Sequence, residues 1–204
     1  MFDICVTIVY TYEKEYIETA LKTLYADLKD TGLKFCVVLV DNNSGDNVER
    51  FEQTFENFRV IKREKNWGFG ASHNLAMVSV PNTKYYFVLN CDIVFPENQK
   101  MLKRLYNFME ENPRVGISGP KLYYPNGTLQ YSCCRFPTFM QPLYSRTKYG
   151  QTQKGKIISD RFHMKDFDHN KTIVVDWIIG SAMFVRKKAI DAVGIFDERF
   201  WMYA

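Results

Sequence analysis

Asn90-Cys91-Asp92 places two short oxygen-bearing side chains one residue apart, directly after the apolar run Tyr85-Tyr86-Phe87-Val88-Leu89. That run has strand length, and its aromatic and β-branched content fits a sheet covered on both faces. In an open α/β sheet ligands bind at the carboxyl ends of the strands, so a carboxylate there can hold a divalent cation against a phosphate. An Asn-x-Asp also reads as an Asx turn that simply ends a strand. A second polar cluster, Asp41-Asn42-Asn43-Ser44-Gly45-Asp46, follows the strand pattern Phe35-Cys36-Val37-Val38-Leu39-Val40. Asp41 has two readings: an acceptor for a nucleobase or ribose, as the acidic residue of dinucleotide folds is, or a cap for a helix running to Asn57. A third cluster, Asn66-Trp67-Gly68-Phe69-Gly70-Ala71-Ser72-His73-Asn74, carries two glycines. It follows the third strand pattern instead of the first, and His73 stands where a small residue belongs, which argues against a dinucleotide fingerprint. Gly155-Lys156 runs into Ile157, so there is no Gly-Lys-Ser/Thr phosphate loop either. His73 reads more readily as a helix-face hydrogen bonder than as a catalytic base and is left unassigned.

The elements that must position these clusters alternate. Residues 4–9 form a continuous apolar strand, and Ile17, Leu21, Leu24 and Leu28 then recur at helical spacing. Strands at 35–40, 58–62 and 85–89 follow, and after Pro96, read as opening a helical pattern, Leu102, Leu105, Phe108 and Met109 mark an amphipathic helix. Residues 115–118 read as a short strand and 122–130 as a hairpin turned on Asn126-Gly127. From Ser132 to Asn170 the periodicity weakens, broken by Pro137, Pro142, Gly150 and Gly155. Residues 173–179 return to a strand pattern, 182–186 resume it after Gly180-Ser181, and 187–193 read as a short helix. The expectation is an α/β fold with a mostly parallel central sheet flanked by helices.

A chain of 204 residues with 46% apolar content and mixed charge has the material for one sizeable core. One domain over 1–204 is expected. The net charge of +4 and pI near 8.7 are mildly basic, with the surplus late in the chain, at Arg146, Lys148, Lys154, Lys156, Arg161 and Arg186-Lys187-Lys188. That tilt suits an anionic ligand or an acidic membrane surface and falls short of the dense stripe of a nucleic-acid binder. Five cysteines, with no Cys-x-x-Cys among them, read as free thiols. No apolar run approaches the roughly 20 residues of a membrane span, and the start lacks a basic leader, so a cytoplasmic location is expected.

Several separated pieces, in order, resemble family 2 glycosyltransferases of the GT-A fold, a Rossmann-like architecture, and within them the bacterial rhamnosyltransferase-like proteins of cell-surface polysaccharide assembly. They are Val9-Tyr10-Thr11-Tyr12, Val40-Asp41-Asn42-Asn43-Ser44, Asn66-Trp67-Gly68-Phe69-Gly70, Leu89-Asn90-Cys91-Asp92, Val115-Gly116-Ile117-Ser118-Gly119-Pro120-Lys121, Cys134-Arg135-Phe136-Pro137, Val175-Asp176-Trp177 with Gly180, and Gly194-Ile195-Phe196-Asp197-Glu198-Arg199-Phe200. The resemblance implies that Thr11, Tyr12, Asp41 and Asn43 line a nucleotide pocket closed by Asn66 and Gly68. Asn90-Cys91-Asp92 takes the place of the family's metal motif, with Asp92 the carboxylate for Mg or Mn. Asp176, Trp177 and Gly180 would form the acceptor-side wall, although Trp177 reads equally as core packing. Residues 1–120 would be the nucleotide-binding part and 121–204 the acceptor-side part.

The activity so implied is transfer of a sugar, rhamnose in the nearest resemblance, from a dTDP-, UDP- or GDP-sugar to a glycan or lipid-linked acceptor. It would proceed with inversion, at the inner face of a membrane to which the chain would bind peripherally. The family's catalytic base is a Glu-Asp pair beyond a segment like Phe200-Trp201-Met202-Tyr203, and so is expected past Ala204. Asp176, Asp197 and Glu198 do not match that position. The alternative reading is a nucleotide-binding fragment without transfer activity.

Overall fold

The computed structural model describes residues 1–141, 144 and 147–202; Pro142, Arg146, Tyr203 and Ala204, used above, lie outside the described residues. The chain forms two compact units, one from Met1–Ser118 with Gly180–Ala204, the other from Gly119–Ile179.

In the first unit, β1 (Phe2–Tyr10), β2 (Phe35–Asp41), β3 (Phe58–Lys62) and β4 (Thr83–Asn90) are parallel neighbours. β10 (Ala182–Arg186) runs antiparallel to β4, and β5 (Ile117–Ser118) antiparallel to β10, giving the order β3-β2-β1-β4-β10-β5. The four parallel strands are the apolar runs read from the sequence; β1, β2 and β4 are buried almost throughout, as strands covered on both faces must be.

α1 (Lys14–Leu28) buries Ile17, Leu21, Leu24 and Leu28, the spacing that predicted it. α2 spans only Arg50–Thr54. No side chain of the 41–46 cluster caps it, so the helix expected to run to Asn57 is cut short and Asp41 is not its cap. α3 (Phe69–Ser79) is buried from Gly70 to Asn74 and again at Ala76 and Met77. Pro96 opens no helix: α4 (Met101–Glu111) begins five residues later. It begins there because Asp27, 4% exposed, accepts the N–H groups of Met101 at 2.6 Å and Leu102 at 2.9 Å. The carboxylate satisfies two otherwise orphaned donors and faces the positive end of the helix. Asp27→Ala is expected to cost about 1–2 kcal/mol in urea unfolding; an unchanged midpoint would show that the cap contributes nothing. At the other end of α4, Arg186 donates to the carbonyls of Val115, Met109 and Asn112 and to the Tyr85 hydroxyl, tying β10 to the helix terminus. α6 (Lys187–Val193) follows β10 directly.

In the second unit β6 (Leu122–Tyr123) pairs with β7 (Leu129–Gln130) across the predicted turn, where Gly127 takes φ +80° and Asn126 accepts the Thr128 N–H at 3.0 Å. β8 (Cys133–Cys134) pairs with β9 (Trp177–Ile178). The strand expected over 173–179 therefore shrinks to two residues, with Val174 99% exposed, because only residues opposite β8 find a partner. α5 (Gln153–Phe162) starts at Thr152, whose hydroxyl accepts the Gly155 N–H. Arg135 forks onto Asp166 at 2.9 and 2.8 Å.

Candidate active site

β1 lies between β2 and β4, and the chain leaves it on one side for β2 and β3, then crosses to β4 on the other. The carboxyl edge at such a switch of direction is where open α/β sheets hold ligands. The register aligns Tyr10 with Asp41 and Val9 with Asn90, so the turns after β1, β2 and β4 emerge at one edge. Thr11, Tyr12, Asp41, Asn43, Asn90 and Asp92 are thereby gathered there.

The turn after β1 is held by Glu13, whose Oε2 accepts the N–H groups of Thr11 and Tyr12, each at 2.9 Å. Burial pushes the Glu13 carboxyl up, but these two amide bonds, together with its own N–H and the Cys91 thiol, leave it below its ordinary pKa. Tyr12 is 79% exposed at the rim. Tyr10 donates its hydroxyl to Asp46 at 2.6 Å, and Lys14 reaches the same carboxylate at 3.1 Å, fastening the second turn over the first.

Asp41 is 3% exposed, and its Oδ1 accepts the Ser44 N–H at 2.8 Å. It shapes an Asx-type turn in which Asn43 takes φ +66° with its side chain outward. Asn42, 2% exposed, does the linking. Its Nδ2 donates to Asn66 Oδ1 at 2.7 Å, while its Oδ1 accepts the Trp67 N–H at 3.0 Å and the Ser72 hydroxyl at 3.1 Å. Asn66 Oδ1 also accepts the Gly68 N–H at 2.8 Å. The loop after β3 is thus fixed to the end of β2 by a buried amide that makes three side-chain hydrogen bonds, two of them to that loop.

Asn90 approaches Ser181, its Nδ2 standing 3.5 Å from the hydroxyl and its N–H donating to the Ser181 carbonyl at 2.9 Å. Asp92 is exposed in the turn that follows, and Cys91 between them is buried, its thiol pushed up by burial and by the neighbouring Glu13 carboxylate. Gly180 is packed against the Phe69 ring, whose Cζ would lie 2.9 Å from an added Cβ. Asp176 and Trp177 belong to the second unit and have partners within it: Asp176 accepts the Phe136 N–H at 3.0 Å, and Trp177 lies 5.8 Å from the Phe162 ring. Asp197 is forked by Arg199, which holds its carboxyl below the usual range, and Glu198 bonds Asn74.

Among the described residues no cluster of three or more His, Cys, Asp or Glu could hold a metal ion by itself. The donor set at the tip is one exposed carboxylate, Asp92. That fits Mg or Mn held jointly with a ligand's phosphates, as such hard ions commonly bind, and does not fit a resident ion in an all-protein cage.

His73 sits beneath this edge, fully buried, its Nδ1 2.8 Å from Thr7 Oγ1 and its Nε2 without a hydrogen-bond partner. Burial lowers its pKa to about 3. It is a neutral core imidazole paired with Thr7. Glu13, Asn42 and Asn74 were not singled out in the sequence reading. For Asn42 a signal existed, since a polar residue flanked by strand and turn formers is the one whose burial demands full hydrogen bonding; for Glu13 and Asn74 none did.

The family model described as Glycosyl transferase family 2 matches residues 5–193. An N-acetylglucosaminyl-diphospho-decaprenol L-rhamnosyltransferase of Mycobacterium tuberculosis is 24% identical over 186 residues, covering 82% of this chain and 57% of the relative, so the chain spans little more than half that protein's length. Two solved structures share the fold. Residues 1–349 of S. aureus TarS superpose at a TM-score of 0.61 and 16% identity, over 96% of this chain and 50% of that one. The mannosyltransferase PcManGT of Pyrobaculum calidifontis, in complex with GDP-Man and Mn2+, superposes at 0.60 and 16% identity, over 97% and 50%.

Proposed function

This chain belongs to glycosyl transferase family 2 and has the GT-A fold, and on that premise we propose that it binds a nucleotide diphosphate sugar at the carboxyl edge of β1, β2 and β4 for sugar transfer to a hydroxyl acceptor. The observation that carries the reading is the convergence of three sheet turns at the switch between β1 and β4, braced by Asn42 and Glu13. Asp41 and Asn43 would meet the nucleoside, Thr11 and Tyr12 the base side, Asn66 and Gly68 the flank, and Asn90 and Asp92 the diphosphate. The roles of these side chains are binding and orientation: a donor held in a fixed pose converts attack by the acceptor into a nearly unimolecular step. A divalent ion shared between Asp92 and the diphosphate would supply charge stabilisation to the leaving group.

Rhamnose as the sugar and a lipid-linked acceptor are proposed from the name of the rhamnosyltransferase relative; a glycan acceptor, inversion at the anomeric carbon and a place in cell-surface polysaccharide synthesis are proposed from the family resemblance of the sequence pieces. The charge distribution supports an anionic partner on the acceptor side. Residues 119–179 hold nine Lys and Arg against four Asp and no Glu, a surplus suited to a diphospholipid or to peripheral contact with the inner face of an acidic membrane. No helix among the described residues is long and apolar enough to cross a membrane. Asp176, Trp177 and Gly180 are proposed for the acceptor wall.

The test is a thermal-shift series with UDP, GDP and dTDP, each with Mn and with EDTA. Saturation near a hundredfold over Kd should add about 2.7 kcal/mol, or roughly 5 °C or more for a chain of this size, for at least one diphosphate and only with the ion. No shift with any of the three removes the donor reading.

A further inference from the structure

Both glycines of the Asn66–Gly70 stretch, which invite comparison with a dinucleotide fingerprint, face the chain's own 196–201 segment. Gly68 has φ +83°, and an added Cβ would collide with the carbonyl of Trp201. At Gly70 an added Cβ would stand 3.1 Å from the Cβ of Phe196. The first amide of α3, on Phe69, donates to the Trp201 carbonyl at 2.9 Å. That donor, which could otherwise serve an anion at a helix start, is therefore taken by residues 196–201, a segment with no helix or strand of its own.

Asn74 holds the other end of the segment. It is 2% exposed in α3, and its Oδ1 accepts the Phe196 N–H at 3.0 Å while its Nδ2 donates to the Phe196 carbonyl at 2.8 Å and to Glu198 Oε1 at 3.0 Å. The Phe196 ring meets Phe69 at 5.9 Å. A buried amide whose bonds all go to one loop fixes that loop's backbone, because leaving those groups unpaired is costly.

We propose that residues 66–74 are the docking seat of the chain's own 196–201 segment, with Asn74 its positioning residue. Seat occupancy and nucleotide-diphosphate binding then reinforce each other through the loop 66–68. Asn42 ties that loop to the candidate pocket on one side and Trp201 closes on it from the other. The coupling rests on the donor reading; the docking does not.

Hydrogen exchange of the whole chain tests both, without ligand and with UDP, GDP or dTDP plus Mn, in the parent and in Asn74→Asp. The substitution keeps the shape and one acceptor but removes the donor, setting a carboxylate oxygen against the Phe196 carbonyl and Glu198. In the ligand-free arm, amides of 195–202 should exchange about tenfold faster in the variant, the loss of about one strong hydrogen bond, with β1 and β4 unchanged. With the nucleotide that binds, exchange over 195–202 should slow in the parent, and a variant in which the segment is mostly undocked should lose the same factor of affinity, since coupling is reciprocal. Equal tail exchange in the two ligand-free proteins overturns the docking role. Binding that is equal in both and leaves the tail unaltered overturns the coupling. Failure of every nucleotide to bind refutes the donor reading and the coupling with it, while the ligand-free arm still decides the docking. Phe196→Gly, at a half-buried residue outside every helix and strand, serves the same comparison if Asn74→Asp does not fold.

Discussion

Asp92→Ala is expected to abolish the manganese-dependent part of nucleotide-diphosphate affinity while leaving the ligand-free chain as stable as the parent. Asp92 is exposed in a turn, and among the described residues its side chain makes no hydrogen bond or ion pair, so removing it should change stability by no more than about 0.5 kcal/mol. Its proposed contribution is to an ion that the diphosphate also holds. With one protein carboxylate in the set, its loss leaves the diphosphate as the ion's only charged ligand on that side. Calorimetry with Mn and with EDTA separates the two parts of the affinity. The parent should bind at least about tenfold more tightly with Mn, equivalent to about 1.4 kcal/mol, and the variant should show the EDTA value under both conditions. If the parent binds equally with and without the ion, Asp92 has no metal role.

Mild acid should destabilise the fold through His73. Its pKa falls from the ordinary 6.5 to about 3 because burial penalises the imidazolium. Between those values the unfolded chain binds a proton that the folded chain does not. The stability His73 contributes is therefore complete above about pH 6.5 and declines as the pH falls toward 3, by about 1.4 kcal/mol per pH unit. The window from 6.5 to about 5 lies above the titration of ordinary carboxylates, and the lowered carboxyls of Glu13 and Asp46 titrate lower still. Urea midpoints at pH 7, 6 and 5 should fall steeply for the parent and much less for His73→Gln, which keeps a polar group for Thr7 but no titrating one. Parallel slopes for the two proteins would assign the acid sensitivity elsewhere.

The parallel strands and their helices were legible because their signals are local. Residues 4–9, 35–40 and 85–89 are apolar runs too short for anything but buried strands, and α1 repeats every three or four residues. The gathering of Thr11, Asp41, Asn90 and Asp92 was legible too, since in alternating βα units the turn after each parallel strand emerges at one edge. The pieces matching a family added an activity that no single spacing carries.

Tertiary structure alone decided the rest, chiefly because the partner of an undecided group lies far along the chain or the element it would serve begins elsewhere. Asp41 could cap a helix or shape a turn, and the choice fell with α2, which begins too late to be reached. Pro96 looked like a helix start, but the donors of α4 are satisfied by Asp27, more than seventy positions earlier, and the helix begins where that carboxylate is. Residues 173–176 carry strand propensity and pair with no strand among the described residues. No local pattern could tell that Trp201 and Phe196 stand against Gly68 and Gly70. Side-chain type and spacing determine which groups need a partner; only the folded backbone determines which partner comes within reach.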